Sequence, residues 1–149
     1  MHRILVLHGP NLDALGTREP DIYGRDSLDD IEFRLARLGR ELDCQVECLQ
    51  DHHEGVLIDE LHRARGRCDA VLLNPGGLTH TSVALRDAIK ASGVPVVEVH
   101  LSNPSAREPF RQVSLTAGAA MGVVQGFGAA SYELALRGLA GHLDHEARR

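Results

Sequence analysis

The chain has 149 residues and a formal net charge of −5. This length predicts one domain, residues 1–149, with room for a substantial core. The mild negative charge disfavours a nucleic-acid-binding surface. No apolar run approaches membrane-spanning length, so neither a nucleic acid nor a membrane is an expected partner. No signal peptide is visible, and three cysteines without CxxC spacing (Cys44, Cys48 and Cys68) indicate a reduced, cytoplasmic protein.

Short apolar runs alternate with helical patterns along the chain. The runs predicted to be buried strands are residues 4–7, 46–49, 70–73, 94–99 and 122–124. The segments with the apolar spacing of helices are residues 27–42, 55–65, 81–92 and 130–143. This alternation predicts an α/β fold with helices on both faces of a five-stranded parallel sheet. Because parallel crossovers are right-handed, the doubly wound strand order 2-1-3-4-5 is the favoured topology.

Three polar loops follow the first, third and fourth predicted strands, at residues 9–26, 74–80 and 100–114. In the order 2-1-3-4-5 the first and third strands are neighbours at the switch point, where open α/β sheets bind ligands. A loop as long as 9–26 is uncommon in a compact domain and is usually a lid or a binding loop. The sequence therefore predicts that the three loops converge on one cleft.

The loop after the third strand reads Asn74-Pro75-Gly76-Gly77-Leu78-Thr79-His80. An amide, two glycines that open backbone N–H groups to a ligand, and a histidine suit a binding site. The alternative is an ordinary turn in which the asparagine caps the strand. His80 and Asp87 are seven residues apart in a predicted helix, which would place them on one helical face. That face is either solvated or part of an interface or site.

The first polar loop holds Asn11, Arg18, Glu19 and Tyr23, and Tyr23 is one of only two tyrosines in the chain. A free phenol loses its proton near pH ~10, so a phenolate base at neutral pH needs a stabilising partner. A neighbouring guanidinium favours the charged form, and Arg18 is close enough along the loop to make that contact. The two residues are either an activated phenol with its partner or two surface side chains.

The fourth loop follows Glu98 and His100, which lie two residues apart and so share a face of the predicted strand. A carboxylate in a valine-rich parallel strand is costly unless it is paired. The histidine is its natural partner, and the two form either a general acid or base or a purely structural pair. Ser102, Arg107 and Arg111 follow in the loop. Ser102, its neighbouring backbone N–H groups and Arg111 suit a carboxylate ligand.

Patterns for metals and cofactors are weak or absent. Residues 51–54 read Asp-His-His-Glu, but adjacent histidines point apart and no spaced partner set follows, so zinc is disfavoured. Gly126-Phe127-Gly128 lacks the dinucleotide fingerprint, and the chain has neither a phosphate loop nor a GxSxG motif. The residues therefore predict neither a metal nor a cofactor.

Several stretches are specific when they occur together in one chain. They are Gly9 to Leu12, Leu15 to Gly24, Glu54-Gly55, Leu57 to Asp59, Asn74 to Ala88, Glu98 to Asn103, Ala106 to Glu108, Phe110-Arg111 and Gly126 to Gly128. The most specific combination joins Arg18-Glu19-Pro20 and Tyr23-Gly24 to the turn Thr79-His80-Thr81-Ser82. In this combination the chain resembles type II 3-dehydroquinate dehydratases over nearly its whole length.

The resemblance implies a flavodoxin-like, three-layer fold and a hydro-lyase that converts 3-dehydroquinate reversibly into 3-dehydroshikimate through an enolate. It places the reaction in the shikimate route to aromatic amino acids or in quinate breakdown. It implies no metal, no cofactor and no covalent Schiff base. It also implies a homo-oligomer, usually a dodecamer built from trimers.

The resemblance assigns roles to individual residues in the first half of the reaction. Tyr23 matches the base that removes a proton from C2, next to the carbonyl. Arg18 matches the residue that holds this tyrosine as phenolate and places it as a lid closes. Asn11 and the backbone around Gly76 match the groups that hold an ordered water at the enolate oxygen.

The remaining matches concern the leaving group and the substrate. His100, oriented by Glu98, matches the acid that protonates the departing C1 hydroxyl. The substrate-binding matches are Leu101 and Ser102 for the carboxylate, Asn74, His80 and Arg111 for the ring hydroxyls, and Asp87, which would reach toward the site of a neighbouring subunit.

The chain departs from the usual residues of this family at several positions. They are His8, Asp51, His52, Ser105, Pro109, Gln112-Val113 and Leu115. None is a matched catalytic position, and we expect them at the edge of the site or at subunit contacts. Two alternative functions stay open: a paralogue that dehydrates an amino analogue of dehydroquinate in secondary metabolism, and a non-catalytic module that binds a flavin or nucleotide. The missing phosphate loop argues against the second.

Overall fold

The computed structural model describes residues 1–149, which build one five-stranded sheet with helices on both faces. The strands are β1 (His2–His8), β2 (Cys44–Gln50), β3 (Ala70–Asn74), β4 (Val96–His100) and β5 (Gly122–Gln125). The helices are α1 (Pro20–Tyr23), α2 (Leu28–Glu41), α3 (Glu54–Ala64), α4 (Val83–Ala91) and α5 (Ala130–Ala147). All strand pairs are parallel in the order β2-β1-β3-β4-β5, so the predicted topology is confirmed.

Two apolar clusters cover the two faces of the sheet. Successive residues of a strand point to opposite faces, and β1 shows this division directly. Ile4 and Val6 join one cluster with α2 and α5, whereas Leu5 and Leu7 join a second cluster with α3 and α4. The sheet is therefore the middle of three layers, as predicted. None of the helices combines the length and the apolar composition needed to cross a membrane.

The carboxyl ends of β1, β3 and β4 bring the three polar loops together. His8 at the end of β1 is the register partner of Asn74 at the end of β3, and β3 in turn pairs with β4. Because the strands are parallel, the chain leaves all three at the same edge of the sheet. The predicted convergence of residues 9–26, 74–80 and 100–114 is confirmed.

The polar loops contain more helical structure than the sequence indicated. Residues 9–26, predicted as a loop, include a 3-10 turn at Leu12–Ala14 and the short helix α1. The turn after β3 is a 3-10 helix, Gly76–His80, and α4 begins only at Val83. Short 3-10 segments also occupy the long connection from β4 to β5.

The predicted common face for His80 and Asp87 is wrong for this reason. His80 ends the 3-10 helix, whereas Asp87 lies in α4, so one helical periodicity does not run through both residues. The Ser82 hydroxyl caps α4 by accepting a hydrogen bond from the N–H of Leu85 at 2.8 Å. This cap fixes the start of α4 three residues beyond His80, at Val83, and separates the two segments.

His8 is buried, contrary to the expectation that it lies at the edge of the site or at a subunit contact. Its side chain is fully enclosed at the end of β1. Its Nδ1 lies 3.0 Å from the hydroxyl oxygen of Tyr132 on α5. His52 does lie at the site edge, where its Nδ1 accepts a hydrogen bond from the backbone N–H of Asn11 at 3.1 Å.

The three cysteines are free thiols, and burial raises the pKa of each. The effect is largest at Cys48, where burial, with a smaller contribution from the negative charge of Glu32, raises the pKa to about 12. A thiol reacts as its thiolate. At pH 8 the thiolate fraction of Cys48 is therefore on the order of a thousandfold below that of an ordinary cysteine.

We expect iodoacetamide to alkylate Cys48 in the native protein at pH 8 on the order of a thousandfold more slowly than in the urea-unfolded protein. Peptide mass spectrometry over a time course measures the rate at each cysteine separately. Equal rates for Cys48 in the folded and unfolded protein would contradict this environment.

Candidate active site

The converging loops enclose a cavity of about 190 Å³ at the carboxyl edge of the sheet. Its lining is mostly polar and comes from all three loops. The lining residues are Asn11, Leu12, Arg18, Tyr23, Asn74, Gly76, Gly77, His80, His100, Leu101, Ser102, Pro104, Arg107 and Arg111. Ten of the twelve residues assigned from the sequence are in this set, and Glu98 lies directly behind it against His100.

Close packing of two loops forms one wall of the cavity. The N–H of Gly9 donates to the carbonyl of Asn74 at 2.8 Å. A Cβ atom at Gly9 would lie 2.6 Å from the carbonyl oxygen of Pro75, and one at Gly76 would lie 3.0 Å from that of Pro10. Gly76 also has a φ of +59°, which L side chains rarely adopt. The two glycines therefore allow the loops after β1 and β3 to touch.

Two guanidinium groups flank the phenol of Tyr23. Arg18 donates to the phenol oxygen at 3.3 Å and Arg107 donates to it at 2.8 Å. The guanidinium carbons of Arg18 and Arg107 lie 4.6 and 5.0 Å from the centre of the ring. The tyrosine itself is buried at the end of α1. Two guanidinium groups therefore direct N–H donors at one phenol oxygen.

Arg107 lines the cavity and contacts Tyr23, although the sequence assigned it no role. It is separated from Tyr23 by 84 positions, and the loop after β4 must fold back over the loop after β1 to bring them together. Its position in a polar loop after a strand marked it only as one of several candidates. The predicted contact between Arg18 and Tyr23, five residues apart, is present.

A buried carboxylate holds the imidazole of His100. Glu98 is almost fully buried, and its Oε2 lies 2.9 Å from Nε2 of His100. A carboxylate only accepts hydrogen bonds, so Nε2 carries the proton and the other ring nitrogen, Nδ1, is left for the cavity. The carboxylate also stabilises the positive charge of a protonated ring. The predicted pairing of these two residues is present.

Two hydroxyl groups hold the carboxylate in place from behind. Thr116 donates to one oxygen of Glu98 and Ser114 donates to the other at 3.4 Å. Both hydroxyls come from the connection between β4 and β5, and the sequence assigned neither of them to the site. Because both carboxylate oxygens are hydrogen-bonded, Glu98 has a fixed orientation toward His100.

Asn11 adopts a left-handed backbone conformation at the cavity wall. Its φ is 68°, which is uncommon for a residue other than glycine. The hydrogen bond from its N–H to Nδ1 of His52 stabilises this conformation from outside the cavity. His52 thus shapes the edge of the site without lining it.

Asn74 and His80 each form a hydrogen bond with a backbone group that can only donate or only accept, and this fixes the orientation of each side chain. The N–H of Gly76 donates to Oδ1 of Asn74 at 3.1 Å, so the amide nitrogen of Asn74 must point the other way. Nδ1 of His80 lies 2.8 Å from the carbonyl oxygen of Val113 and must be its donor. His80 therefore offers its Nε2 to the cavity.

The mouth of the cavity is positively charged. Arg18, Arg107 and Arg111 all line it, and Arg107 donates to the hydroxyl of Ser102 at 3.2 Å. Arg111 donates to Glu108 at 3.1 Å, and the carboxylate of Glu108 also lies 3.5 Å from Nε of Arg107. An excess of guanidinium groups around a small polar cavity suits an anionic ligand.

Asp87 lies away from this cavity. It is exposed on α4, where it borders a shallow hollow with Ile58, His62 and Ala84. A role in the site of a neighbouring subunit is not tested by a single chain.

The geometry joins a phenol and an imidazole in one small cavity. The phenol of Tyr23 and the imidazole of His100 both face it, each supported by charges of the opposite sign. A ligand held there has a proton acceptor and a proton donor within the same enclosure. Such a pair suits an elimination in which a proton is removed from carbon and a hydroxyl leaves as water.

Comparison with known proteins agrees with this chemistry. Residues 2–140 match the model of the family described as dehydroquinase class II. A 3-dehydroquinate dehydratase from Gloeobacter violaceus is 55% identical over 147 residues, which cover 99% of this chain and 92% of the relative. The crystal structure of a type II dehydroquinase from Propionibacterium acnes superposes with a TM-score of 0.91 at 42% identity, covering 95% of this chain and 97% of that one. A type II dehydroquinase from Butyrivibrio crossotus gives a TM-score of 0.90 at 38% identity, over 93% and 97%.

Proposed function

This chain belongs to the class II dehydroquinases, and we propose that it catalyses the reversible dehydration of 3-dehydroquinate to 3-dehydroshikimate. One observation carries this function: a single cavity holds a tyrosine that contacts two arginines and a histidine that contacts a buried glutamate. The reaction serves the shikimate route to aromatic amino acids or quinate breakdown. The enzyme is a hydro-lyase.

The first half of the reaction is removal of a proton from C2. Tyr23 as phenolate accepts this proton, and the electron pair moves into the neighbouring carbonyl to give an enolate. Arg18 and Arg107 stabilise the phenolate through their hydrogen bonds to its oxygen. The enolate oxygen is stabilised by an ordered water held by Asn11 and the backbone at Gly76, both of which line the cavity.

The second half is loss of the C1 hydroxyl. The enolate electrons form the new carbon–carbon double bond as the C1–O bond breaks. His100 gives a proton to the departing oxygen, so that water leaves, and Glu98 stabilises the ring while it is positively charged. The product is a conjugated enone, and Tyr23 and His100 return to their starting states by exchanging protons with solvent.

The substrate is held by the remaining polar lining. The backbone at Leu101 and the hydroxyl of Ser102 bind its carboxylate, which the positive mouth of the cavity attracts. The ring hydroxyls contact Asn74, His80 and Arg111. This assignment is supported by the position of all five residues on the cavity wall.

Mixing the purified protein with 3-dehydroquinate tests the function directly. The ultraviolet absorbance of the conjugated enone should rise, at a rate unchanged by a chelator and by prior treatment with borohydride. Absence of product would overturn the proposal. Turnover of an amino analogue of dehydroquinate in preference to 3-dehydroquinate would point instead to a paralogue in secondary metabolism.

We expect Arg107→Met to lower kcat by roughly 10- to 100-fold, because it removes a charge-assisted hydrogen bond of about 1.5–3 kcal/mol from the phenolate. Steady-state kinetics on 3-dehydroquinate measure the change. Arg137→Met on the exposed surface of α5 is the matched control and should leave kcat unaltered. A kcat for Arg107→Met within twofold of the wild-type value would remove Arg107 from the mechanism.

We also propose that residues 1–149 act as one domain and that the protein assembles from trimers into a dodecamer in the cytoplasm. The single sheet supports the first statement, and the three free thiols support the location. Large apolar side chains are exposed beside the site, including Phe110, Val113 and Phe127, each more than 60% exposed. Apolar side chains exposed in this number favour a contact with another subunit.

Light scattering of the purified protein should give a mass of about 194 kDa, twelve times the 16.2 kDa of one chain. The exposed position of Asp87 on α4 suits a residue that reaches a neighbouring site in this assembly. Phe110→Asp should reduce the mass by placing a charge in the contact. A wild-type mass of one chain would refute the assembly.

A further inference from the structure

The structure assigns to Tyr132 the role of a positioning residue that fixes the amide of Asn74 in the active site through a buried chain of hydrogen bonds that ends at His8, beside Glu32. This inference rests on the proposed function, since Asn74 acts there on the substrate. It concerns residues on β1, α2 and α5 to which neither the sequence nor the proposed mechanism gave a role.

The chain of contacts lies on the face of the sheet that α2 and α5 cover. Nδ2 of Asn74 donates to the hydroxyl oxygen of Tyr132 at 2.9 Å, and that oxygen lies 3.0 Å from Nδ1 of His8. Nε2 of His8 lies 3.2 Å from a carboxylate oxygen of Glu32, outside good hydrogen-bonding geometry. His8 and Asn74 are register partners on adjacent strands, so their side chains share the face that Tyr132 covers.

The direction of every hydrogen bond in this chain follows from its first member. The N–H of Gly76 can only donate, so the atom of Asn74 that faces it is Oδ1 and the amide NH₂ faces Tyr132. The tyrosine oxygen is then an acceptor, and its own proton has one partner within reach, Nδ1 of His8. His8 is therefore protonated on Nε2, the nitrogen that faces Glu32.

Burial keeps the hydroxyl of Tyr132 in its neutral form, and it makes the loss of a hydrogen-bond partner there unfavourable. Tyr132, His8 and Asn74 are all at most 2% exposed. Burial raises the pKa of Tyr132 far above its ordinary value, with smaller contributions from Cys48 and Glu32, although its hydrogen bond with Asn74 lowers it. Tyr132 therefore holds its proton at any pH at which the enzyme works, and it acts as a donor and an acceptor at once.

The same network decides whether the cluster beside it binds a metal. The ligand atoms of His8, Glu32 and Cys48 lie within 4.8 Å of one another, which is a possible ligand set. A metal on Nε2 of His8 would move the ring proton to Nδ1 and leave the fully buried Tyr132 hydroxyl without an acceptor. The chain of hydrogen bonds thus favours a proton at this nitrogen, with Glu32 as its nearest negative charge.

The consequence for the site is a fixed amide. With one N–H given to Tyr132 and Oδ1 accepting from Gly76, Asn74 presents its second N–H and the other lone pair of Oδ1 to the cavity. A flipped amide would present the two functions in reversed positions to a substrate hydroxyl. The N–H of Gly76 disfavours that flip, because a flipped amide would bring its NH₂ against another donor. Tyr132 holds the unflipped amide in place by accepting from its Nδ2.

The tautomer of His8 gives a test that needs no substrate. In a long-range ¹H–¹⁵N NMR spectrum of the wild-type protein, we expect Nε2 of His8 to be protonated and Nδ1 to be an acceptor. His8→Asn assigns the signal. A proton on Nδ1, or a shift of these signals on addition of equimolar Zn²⁺, would overturn the proposed direction of the chain.

Kinetics on 3-dehydroquinate test the positioning role. Tyr132→Phe should raise KM by about tenfold, the effect of one hydrogen bond, with kcat within about threefold, because Asn74 binds substrate and transition state alike. Asn74→Ala should raise KM as well, and the double variant should match Asn74→Ala alone. Ser131→Ala is the control. It removes a buried hydroxyl from the same helix, but this hydroxyl accepts a hydrogen bond from the N–H of Phe127 and does not contact Asn74.

The outcomes separate this inference from the proposed function. Multiplied effects in the double variant, or an unchanged KM for Tyr132→Phe, would show that Tyr132 has only a structural role. A KM raised equally by Ser131→Ala would show the same. If the wild-type protein does not dehydrate 3-dehydroquinate, the proposed function fails. The tautomer of His8 still tests the direction of the hydrogen bonds from Asn74 through Tyr132 to His8.

Discussion

Replacing Tyr23 with phenylalanine is expected to lower kcat by at least about three orders of magnitude, within the range of a lost general base. The substitution removes only the phenol oxygen, so the ring keeps its buried place at the end of α1. The dissociation constant of the substrate, measured by calorimetry under conditions without turnover, should stay within a few-fold of the wild-type value. The decisive change is therefore in kcat and not in affinity.

A solvent-exchange experiment sharpens this prediction. In D₂O, Tyr23→Phe should neither form product nor exchange the C2 proton of 3-dehydroquinate, because no group removes that proton. The matched variant is Tyr132→Phe, the only other tyrosine in the chain, which should keep both reactions. Near-wild-type exchange by Tyr23→Phe would remove this tyrosine from the mechanism.

Replacing His100 with alanine is the second large effect. We expect kcat for dehydration to fall by about 10²- to 10⁴-fold, because the departing hydroxyl then leaves without a proton donor. The base is untouched in this variant, so the C2 proton should still exchange with D₂O while little product forms. Proton NMR of the substrate measures exchange, and the enone absorbance measures product.

Two further variants control for simple damage to the cavity. His80→Ala also removes a cavity-lining imidazole, but it should raise KM more than it lowers kcat, because His80 contacts the substrate and not the leaving group. Added imidazole should restore part of the activity of His100→Ala and none to Tyr23→Phe. Loss of C2 exchange in His100→Ala would contradict the assigned division of roles.

The contact between Glu98 and His100 shows that the sequence can predict contacts between residues close together in the chain. The two residues are two positions apart in a strand, so period-two geometry alone places them on one face. Arg18 and Tyr23, five positions apart in a loop, were a plausible contact for the same reason of proximity along the chain. Local spacing was sufficient in both cases because few conformations separate such neighbours.

The position of His80 shows where short-range reasoning failed. The pattern from residue 81 onward is helical, but a 3-10 turn and the Ser82 cap precede α4. A 3-10 turn advances about 120° per residue and an α-helix about 100°, so the direction of a side chain cannot be carried through the junction. Asp87 consequently lies on a surface away from the cavity that His80 lines.

The sequence by itself determined the strand order, the edge at which the polar loops meet and the family to which the chain belongs. These follow from apolar periodicity, right-handed crossovers and contiguous motifs, all of which are properties of short segments. Only the tertiary structure decided that Arg107 joins Arg18 on Tyr23, that Thr116 holds Glu98, and that Tyr132 connects Asn74 to His8. Those contacts join residues far apart in the chain, and they form only when packing of the helices and loops on the sheet brings them within hydrogen-bond distance.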